Sequence, residues 1–378
     1  MVKLFRKDLI DKKPSVVDVP QRKRMMCLNE SCMNPFEVVQ DDFLKRMQNI
    51  QLNRYISPVA DELRQKLADY VGHKMQPENL VWGNGADDMI FHTILSVRED
   101  ERSFAVSPAP SYFDYKTYTD MVGMGMHFVE LDEDFRLDPA QYIAAASHPD
   151  CKLAILCNPN NPTGNLFPKD DLRTIVEALP DKLVLLDETY YEFSGESLID
   201  ELERHPNLIL VRSFSKAFSG AGLRFGYAIS SASNIYNLRK VFITFHSSVL
   251  AQAFALSILD NIPAFRQQVA QISALRQDAY HQIKIMPQMT VQPSHTNFLA
   301  FTVGEQTPQL FQYLKTRDIA LRDIGGQPRL KNYLRATLSC EDDTKELIKE
   351  MWNWLDMNEI RRHSADMEEP LREGIAGM

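Results

Sequence analysis

The chain has 378 residues, 44% hydrophobic and 25% charged, with a formal net charge of −9. That length exceeds what one hydrophobic core usually serves, so two packed units are expected, and the acidic balance argues against nucleic acid as a partner. The opening Met-Val-Lys-Leu-Phe-Arg-Lys-Asp lacks the apolar centre of a secretory signal, and no apolar run approaches the ~20 residues of a membrane span.

Along the chain, the first forty residues carry little regular pattern and are expected to fold onto a smaller unit. Arg22-Lys23-Arg24 is the densest basic cluster and reads as a solvated face. From about residue 80 to 230, short apolar runs alternate with helical patterns. Strands are predicted at Leu80–Trp82, Ser103–Val106, His127–Leu131, Leu153–Cys157, Leu183–Leu186, Leu208–Val211 and Phe225–Ile229. Most are separated by amphipathic segments of helix length, such as Pro168–Leu179. This alternation specifies an α/β unit with a largely parallel sheet covered on both faces. Ligands of such sheets sit beyond the carboxyl ends of the strands.

After Ser247 the pattern changes to helices at Val249–Leu259 and Ala264–Ile285. Short strands follow at Asn297–Val303, Ile319–Arg322 and Tyr333–Leu338, with a last helix from Glu341 to Leu355. This predicts a smaller α+β unit. The polar residues after Met357 are expected to fray or to pack on a neighbour. The five cysteines (27, 32, 151, 157 and 340) form no Cys-x-x-Cys pair, so no disulfide framework or structural zinc is expected and a reducing cytoplasm is the default. The nine histidines lack metal-ligand spacing and read as structural or surface residues, so no metal is expected.

Three strand-end segments carry the chemistry. Asn158-Pro159-Asn160-Asn161-Pro162-Thr163-Gly164 follows the strand ending at Cys157 and, alone, is a turn-forming run. In Leu185-Leu186-Asp187-Glu188-Thr189-Tyr190 an aspartate ends an apolar strand, where it either caps a helix or meets a cation. Ser213-Phe214-Ser215-Lys216-Ala217-Phe218-Ser219-Gly220-Ala221-Gly222-Leu223-Arg224 sets a lysine and an arginine among small hydroxyls and glycines, which suits an anionic ligand.

Together, in this order and spacing, the segments resemble fold-type I pyridoxal 5′-phosphate (PLP) aminotransferases of class I/II, in the branch that contains histidinol-phosphate aminotransferase. The likeness extends from about Asn53 to Leu347. It implies a large PLP-binding domain with a mostly parallel seven-stranded sheet over residues 44–255. The smaller α+β domain would comprise residues 1–43 and 256–378. Lys216 corresponds to the lysine that holds PLP as a Schiff base and moves the substrate proton. Asp187 would pair with the pyridine nitrogen, and Asn161 and Tyr190 would hydrogen-bond the phenolic oxygen, Tyr190 being counted with the catalytic residues. Tyr112 would stack on the ring. Gly85, Ala86 and Asp87 open a helix whose amides can face the phosphate, joined by Ser213, Ser215 and Arg224. Tyr55, in Asn53-Arg54-Tyr55, matches a tyrosine that the family sends across a homodimer interface.

Arg322 and Arg335 fall where that branch binds substrate anions, Asn161 is counted with them, and Gln327-Pro328-x-Leu330 between the two arginines also resembles it. The reaction implied converts histidinol phosphate and 2-oxoglutarate to imidazole acetol phosphate and glutamate. An aromatic or basic amino acid as donor, or a decarboxylase or oxidase on the same scaffold, is the alternative. The sequence also departs from the family. Asn29-Glu30-Ser31-Cys32-Met33-Asn34-Pro35-Phe36-Glu37 carries an insertion and lacks the usual glycine, and the family's upstream tyrosine has no counterpart near Pro14-Ser15.

Overall fold

The computed structural model describes residues 4, 6–7, 12–14, 21–55 and 57–375, with side chains as far as residue 358; Ser15 lies outside them. Seven strands form the main sheet. They are β1 (Leu80–Gly83), β2 (Phe104–Ala109), β3 (Gly125–Glu130), β4 (Cys151–Cys157), β5 (Leu183–Asp187), β6 (Leu208–Ser213) and β7 (Gly226–Ile229), in the order β1-β7-β6-β5-β4-β2-β3. Only β7 runs against its sheet neighbours; the other pairings are parallel. All seven predicted strands are present, with no end shifted by more than three residues.

Why the runs are continuously apolar is visible in β4. Ala154 and Leu156 pack into one layer with Tyr142 and Leu172, whereas Leu153, Ile155 and Cys157 pack into the other with Met89 and Tyr115. A strand buried on both faces has no polar side, and each large aliphatic side chain so buried stabilises the fold by ~1.5–3 kcal/mol. The strand order reverses between β4 and β2, which opens a crevice at their carboxyl ends.

A second sheet is antiparallel, in the order Arg322–Asp323, Leu334–Thr337, Phe298–Thr302, Thr290–Val291. Its apolar cluster joins Leu299 and Phe301 to Ile283, Leu310, Met351 and Trp354 from the helices around it. The N-terminal stretch is hydrogen-bonded to this unit. Arg24–Met25 pairs in parallel with Ile319–Ala320, and the Thr337 amide donates to the Met26 carbonyl at 2.9 Å.

Three expectations need correction. The predicted strand Ile319–Arg322 is two strands: Ile319–Ala320 faces the N-terminal segment, and Arg322–Asp323 pairs with Leu334–Thr337 across the buried Leu321. The last helix runs from Glu341 to Ile375, past Leu355. Leu347, Ile348, Met351, Trp354 and Leu355 supply its packed stripe, which ends where the expected boundary was drawn. Arg22-Lys23-Arg24 is not a simply solvated face. Arg24 lies in a strand, 3.5 Å from the Asp343 carboxylate, and Arg22 is 3.9 Å from Asp318. Among the described residues no helix is long and apolar enough to cross a membrane.

Candidate active site

A cavity of about 710 Å³ opens at the carboxyl ends of β1, β2, β4, β5 and β6 and the amino end of the reversed β7. The sheet side supplies Ala86, Asp87, Tyr112, Asn161, Asp187, Tyr190, Ser213, Ser215, Lys216 and Arg224. Opposite stand Leu28, Asn29 and Glu30 from the N-terminal segment, and Arg322 and Arg335 from the second sheet. Twelve of the fourteen residues singled out in the sequence thus share one space. Gly85 and Tyr55 do not line it. Tyr55 is 82% exposed, with its ring stacked on Phe245 at 4.8 Å between centroids.

Gly85 acts from behind the wall. It caps the helix Ala86–Val97 with φ of 95°, in the left-handed region that favours glycine. A Cβ there would lie 2.7 Å from Nη2 of Arg224, and one on Gly226 would lie 2.3 Å from the Ala86 nitrogen. No side chain caps this helix start, and its first residues, Ala86 and Asp87, line the cavity, where free amides and the positive end of the helix dipole suit an anion. Arg224 donates from Nη2 to the Asp87 carboxylate at 3.0 Å, and the Tyr112 hydroxyl donates to the other Asp87 oxygen at 3.1 Å.

Lys216 donates from Nζ to the Leu28 carbonyl at 3.0 Å. Burial, with the Arg335 charge nearby, lowers its amine to about 8. An amine so placed is a competent nucleophile near neutral pH. Asp187 is 4% exposed, and burial pushes its carboxyl up from the ordinary range against donors that hold it down. Those donors are all neutral: the Thr189 hydroxyl at 2.6 Å and amide at 3.0 Å, and the Tyr115 hydroxyl at 2.7 Å. The sheet itself denies Asp187 a cation. Arg212 on the adjacent strand pairs instead with Glu188 at 2.9 Å, both side chains buried and neither lining the cavity, and its guanidinium lies 3.6 Å over Tyr191.

Tyr190 accepts from the Asn29 side-chain amide at 2.8 Å, and burial raises its phenol, keeping the proton available to donate. Arg335 donates from Nη1 to Asn161 Oδ1 at 2.5 Å and from Nη2 to the Cys27 carbonyl at 3.2 Å. Its Nε is buried with no partner. Arg322 is directly across from Arg335 in the antiparallel register and is exposed.

Residues that the motif reading missed complete the site. Tyr115 and Thr189 hold Asp187, and Asn29 and the Leu28 carbonyl hold Tyr190 and Lys216; Gln327, which the sequence does single out, accepts from the Ser111 amide at 3.0 Å through its side-chain oxygen. Tyr115 lies three positions after Tyr112 at a helix start, a spacing that puts both on one face, so it was findable. Asn29 joins through contacts 161 and 308 positions away, with Tyr190 and Thr337, and no local signal announces them.

The sequence profile of the family described as aminotransferase class I and II matches residues 24–350. Histidinol-phosphate aminotransferase from Caldanaerobacter subterraneus subsp. tengcongensis is 32% identical over 333 residues, covering 88% of this chain and 93% of its own. Histidinol-phosphate aminotransferase 1 from Carboxydothermus hydrogenoformans is 35% identical over 298 residues, 79% of this chain and 83% of that one. Histidinol-phosphate aminotransferase from Sinorhizobium meliloti, solved in complex with pyridoxal-5′-phosphate, shares the fold with a TM-score of 0.78 at 23% identity, over 89% of this chain and 92% of that one.

Proposed function

We propose that this chain, which belongs to the aminotransferase class I and II family, transfers the amino group of histidinol phosphate to 2-oxoglutarate with PLP as its cofactor. The residues at the strand ends fit that group. Asp187 is a buried carboxylate with neutral donors and no cation, which suits a protonated pyridine nitrogen. Gly85 keeps a side chain out of the space before a helix start, where Arg224, Ser213 and Ser215 suit a phosphate. Lys216 carries an amine lowered to about 8 between these two places.

PLP, when bound, supplies an aldehyde for the amine and a ring that draws electron density from the substrate Cα. Asp187 would hold the pyridine nitrogen protonated, and the Tyr190 hydroxyl and the Asn161 amide would donate to the phenolic oxygen. Asn161 can do so because Arg335 occupies its Oδ1 and leaves the nitrogen as the donor. Tyr112 covers one ring face. The Lys216 amine, lowered to about 8, would anchor the aldehyde and would serve as the base that moves the substrate's Cα proton. Arg335 and Arg322 hold the substrate's anionic end away from these groups.

Arg335 is the observation that carries the substrate reading. A buried guanidinium with neutral partners and an unpaired Nε is costly until an anion arrives. The carboxylate of an amino acid would engage it, whereas a phosphate brings further charge that Arg322 across the register can meet. Glutamate and 2-oxoglutarate use the same pair in the other half of the cycle.

A cytoplasmic homodimer belongs to this reading. It is supported by the exposed Tyr55, Phe245, Leu52 and Ile243 on the surface and by five unpaired thiols. In the dimer Tyr55 would reach the partner's phosphate site. The division into units 44–255 and 1–43 with 256–378 is supported by the second sheet's cluster, which draws only on Met26 and residues from Ala279 onward, although the helix Phe36–Met47 spans the first border and Val39, Phe265, Ala300 and Leu330 pack into the main sheet's cluster. The test is a half-reaction screen. PLP-loaded enzyme is mixed with histidinol phosphate or with ordinary amino acids, and the cofactor absorbance is followed to its amine form. Conversion by histidinol phosphate is expected. Conversion by an amino acid alone would remove the substrate assignment and leave the cofactor assignment intact.

A further inference from the structure

We propose that Cys32 and Cys340 form a reversible disulfide that restrains the substrate-side wall of the active site. Cys32 is exposed and Cys340 half-buried, whereas Cys27, Cys151 and Cys157 are buried, so oxidants in solution reach this pair first. The two thiols are held together from both sides. The Cys32 thiol donates to the carbonyl of Ser339, the residue before Cys340, at 3.0 Å. The Ser339 hydroxyl donates back to the Glu30 carbonyl at 2.9 Å. Residues 30–32 and 339–340 therefore run side by side although they lie over 300 positions apart in the chain.

Burial, and then the neighbouring Cys340 sulfur, push the Cys32 thiol up to about 11. The oxidant is a peroxide. It converts one thiol to a sulfenic acid and is itself reduced to water. The sulfur of the second thiol then displaces the hydroxyl, which leaves as a second water, so the two cysteines give up two hydrogens and two electrons in all. A small thiol or dithiol reverses the step by exchange.

The pair has leverage on the chemistry through its position. Cys32 belongs to the insertion that separates this chain from its family's N-terminal motif. Three residues earlier, Asn29 donates to Tyr190, and its amide donates to Thr337 at 2.9 Å. Next to it, the Leu28 carbonyl receives Lys216. Closing the sulfurs to a bond of ~2.05 Å draws this segment toward the start of the last helix and removes slack from a wall that must readjust when substrate enters.

PLP-loaded enzyme is treated with hydrogen peroxide, the remaining thiols are alkylated, and peptides are mapped without reduction. The mapping is independent of the substrate assignment, while the activity measurement rests on the aminotransferase reading, so failure of one is distinguishable from failure of the other. The expected result is one peptide pair joining Cys32 to Cys340 within a subunit. Turnover should fall by roughly tenfold, return with dithiothreitol, and resist peroxide in Cys340→Ser, whose untreated activity equals wild type. Free Cys32 and Cys340 after treatment, or either one joined to another cysteine or to a second subunit, would overturn the proposal. So would a mapped Cys32–Cys340 bond with unchanged turnover.

Discussion

The two walls of the cavity are made in different ways. On the sheet side, each group stands at a strand end or within four residues of one, and Asp187 has a support close by in the chain, Thr189 two positions away. On the opposite side, Asn29 meets Thr337, and Arg335 meets Cys27, across 308 positions. A parallel sheet fixes its strand ends by many ladder bonds and a two-sided core. The other wall depends on a few long-range hydrogen bonds between an N-terminal segment and short strands. The two walls still meet, because Asn29, the Leu28 carbonyl and Arg335 of the second wall bond to Tyr190, Lys216 and Asn161 of the first.

Substitutions that respect this division should have different signatures, and the largest effects belong to the sheet wall. Lys216→Ala should lower turnover by roughly 10⁴-fold or more, because both the covalent anchor and the proton carrier are lost; steady-state assays that retained even a few per cent of activity would break the comparison. Asp187→Asn should retain cofactor and slow the half-reaction with every amine alike by roughly 10²- to 10³-fold, the scale of ~3–4 kcal/mol for an unpaired buried charge.

The substrate wall should show selectivity instead. Arg335→Ala is expected to cripple both half-reactions. Arg322→Ala should harm the phosphorylated amine by roughly tenfold to a hundredfold, ~1.5–3 kcal/mol for a charge-assisted bond, and glutamate less. Equal losses on both substrates from Arg322→Ala would show that the two arginines do not divide the work.

A pH experiment sharpens the sheet side. Lowering the Lys216 amine to about 8 means that it is mostly protonated at about pH 7 and mostly neutral at about pH 9. Only the neutral amine attacks an aldehyde. The rate at which cofactor-free enzyme captures PLP should thus rise about tenfold across that interval, whereas an unshifted lysine would move the rise to near pH 10.4. The smallest effect is expected from Tyr55→Phe, which should weaken PLP retention by roughly twofold to tenfold, ~0.5–1.5 kcal/mol for one hydrogen bond. Fluorescence titration would read it, and a fully active monomer in sedimentation would exclude the shared site.

The same contrast explains what was legible in the sequence. The central strands of the main sheet are readable because burial on both faces leaves apolar runs, whereas the edge strand Gly125–Glu130 is largely exposed; Asp187, Asn161 and Lys216 are readable because each ends or follows a buried run. Arg322 and Arg335 were reachable only through resemblance, since an arginine on a short strand has many uses. Ile319–Arg322 was taken as one strand because nothing local marks Leu321 as the point where pairing changes partner. Asn29, Glu30 and the pairing of Cys32 with Cys340 were hidden, since their meaning comes from tertiary contacts rather than from spacing.

The central claim is that the sheet wall presents Lys216 to PLP, and borohydride reduction of the loaded enzyme followed by peptide mapping tests it most directly. Reduction should fix the phosphopyridoxyl group on the peptide containing Lys216, at one group per subunit. The group found on any other lysine, or no covalent group at all, would contradict the account.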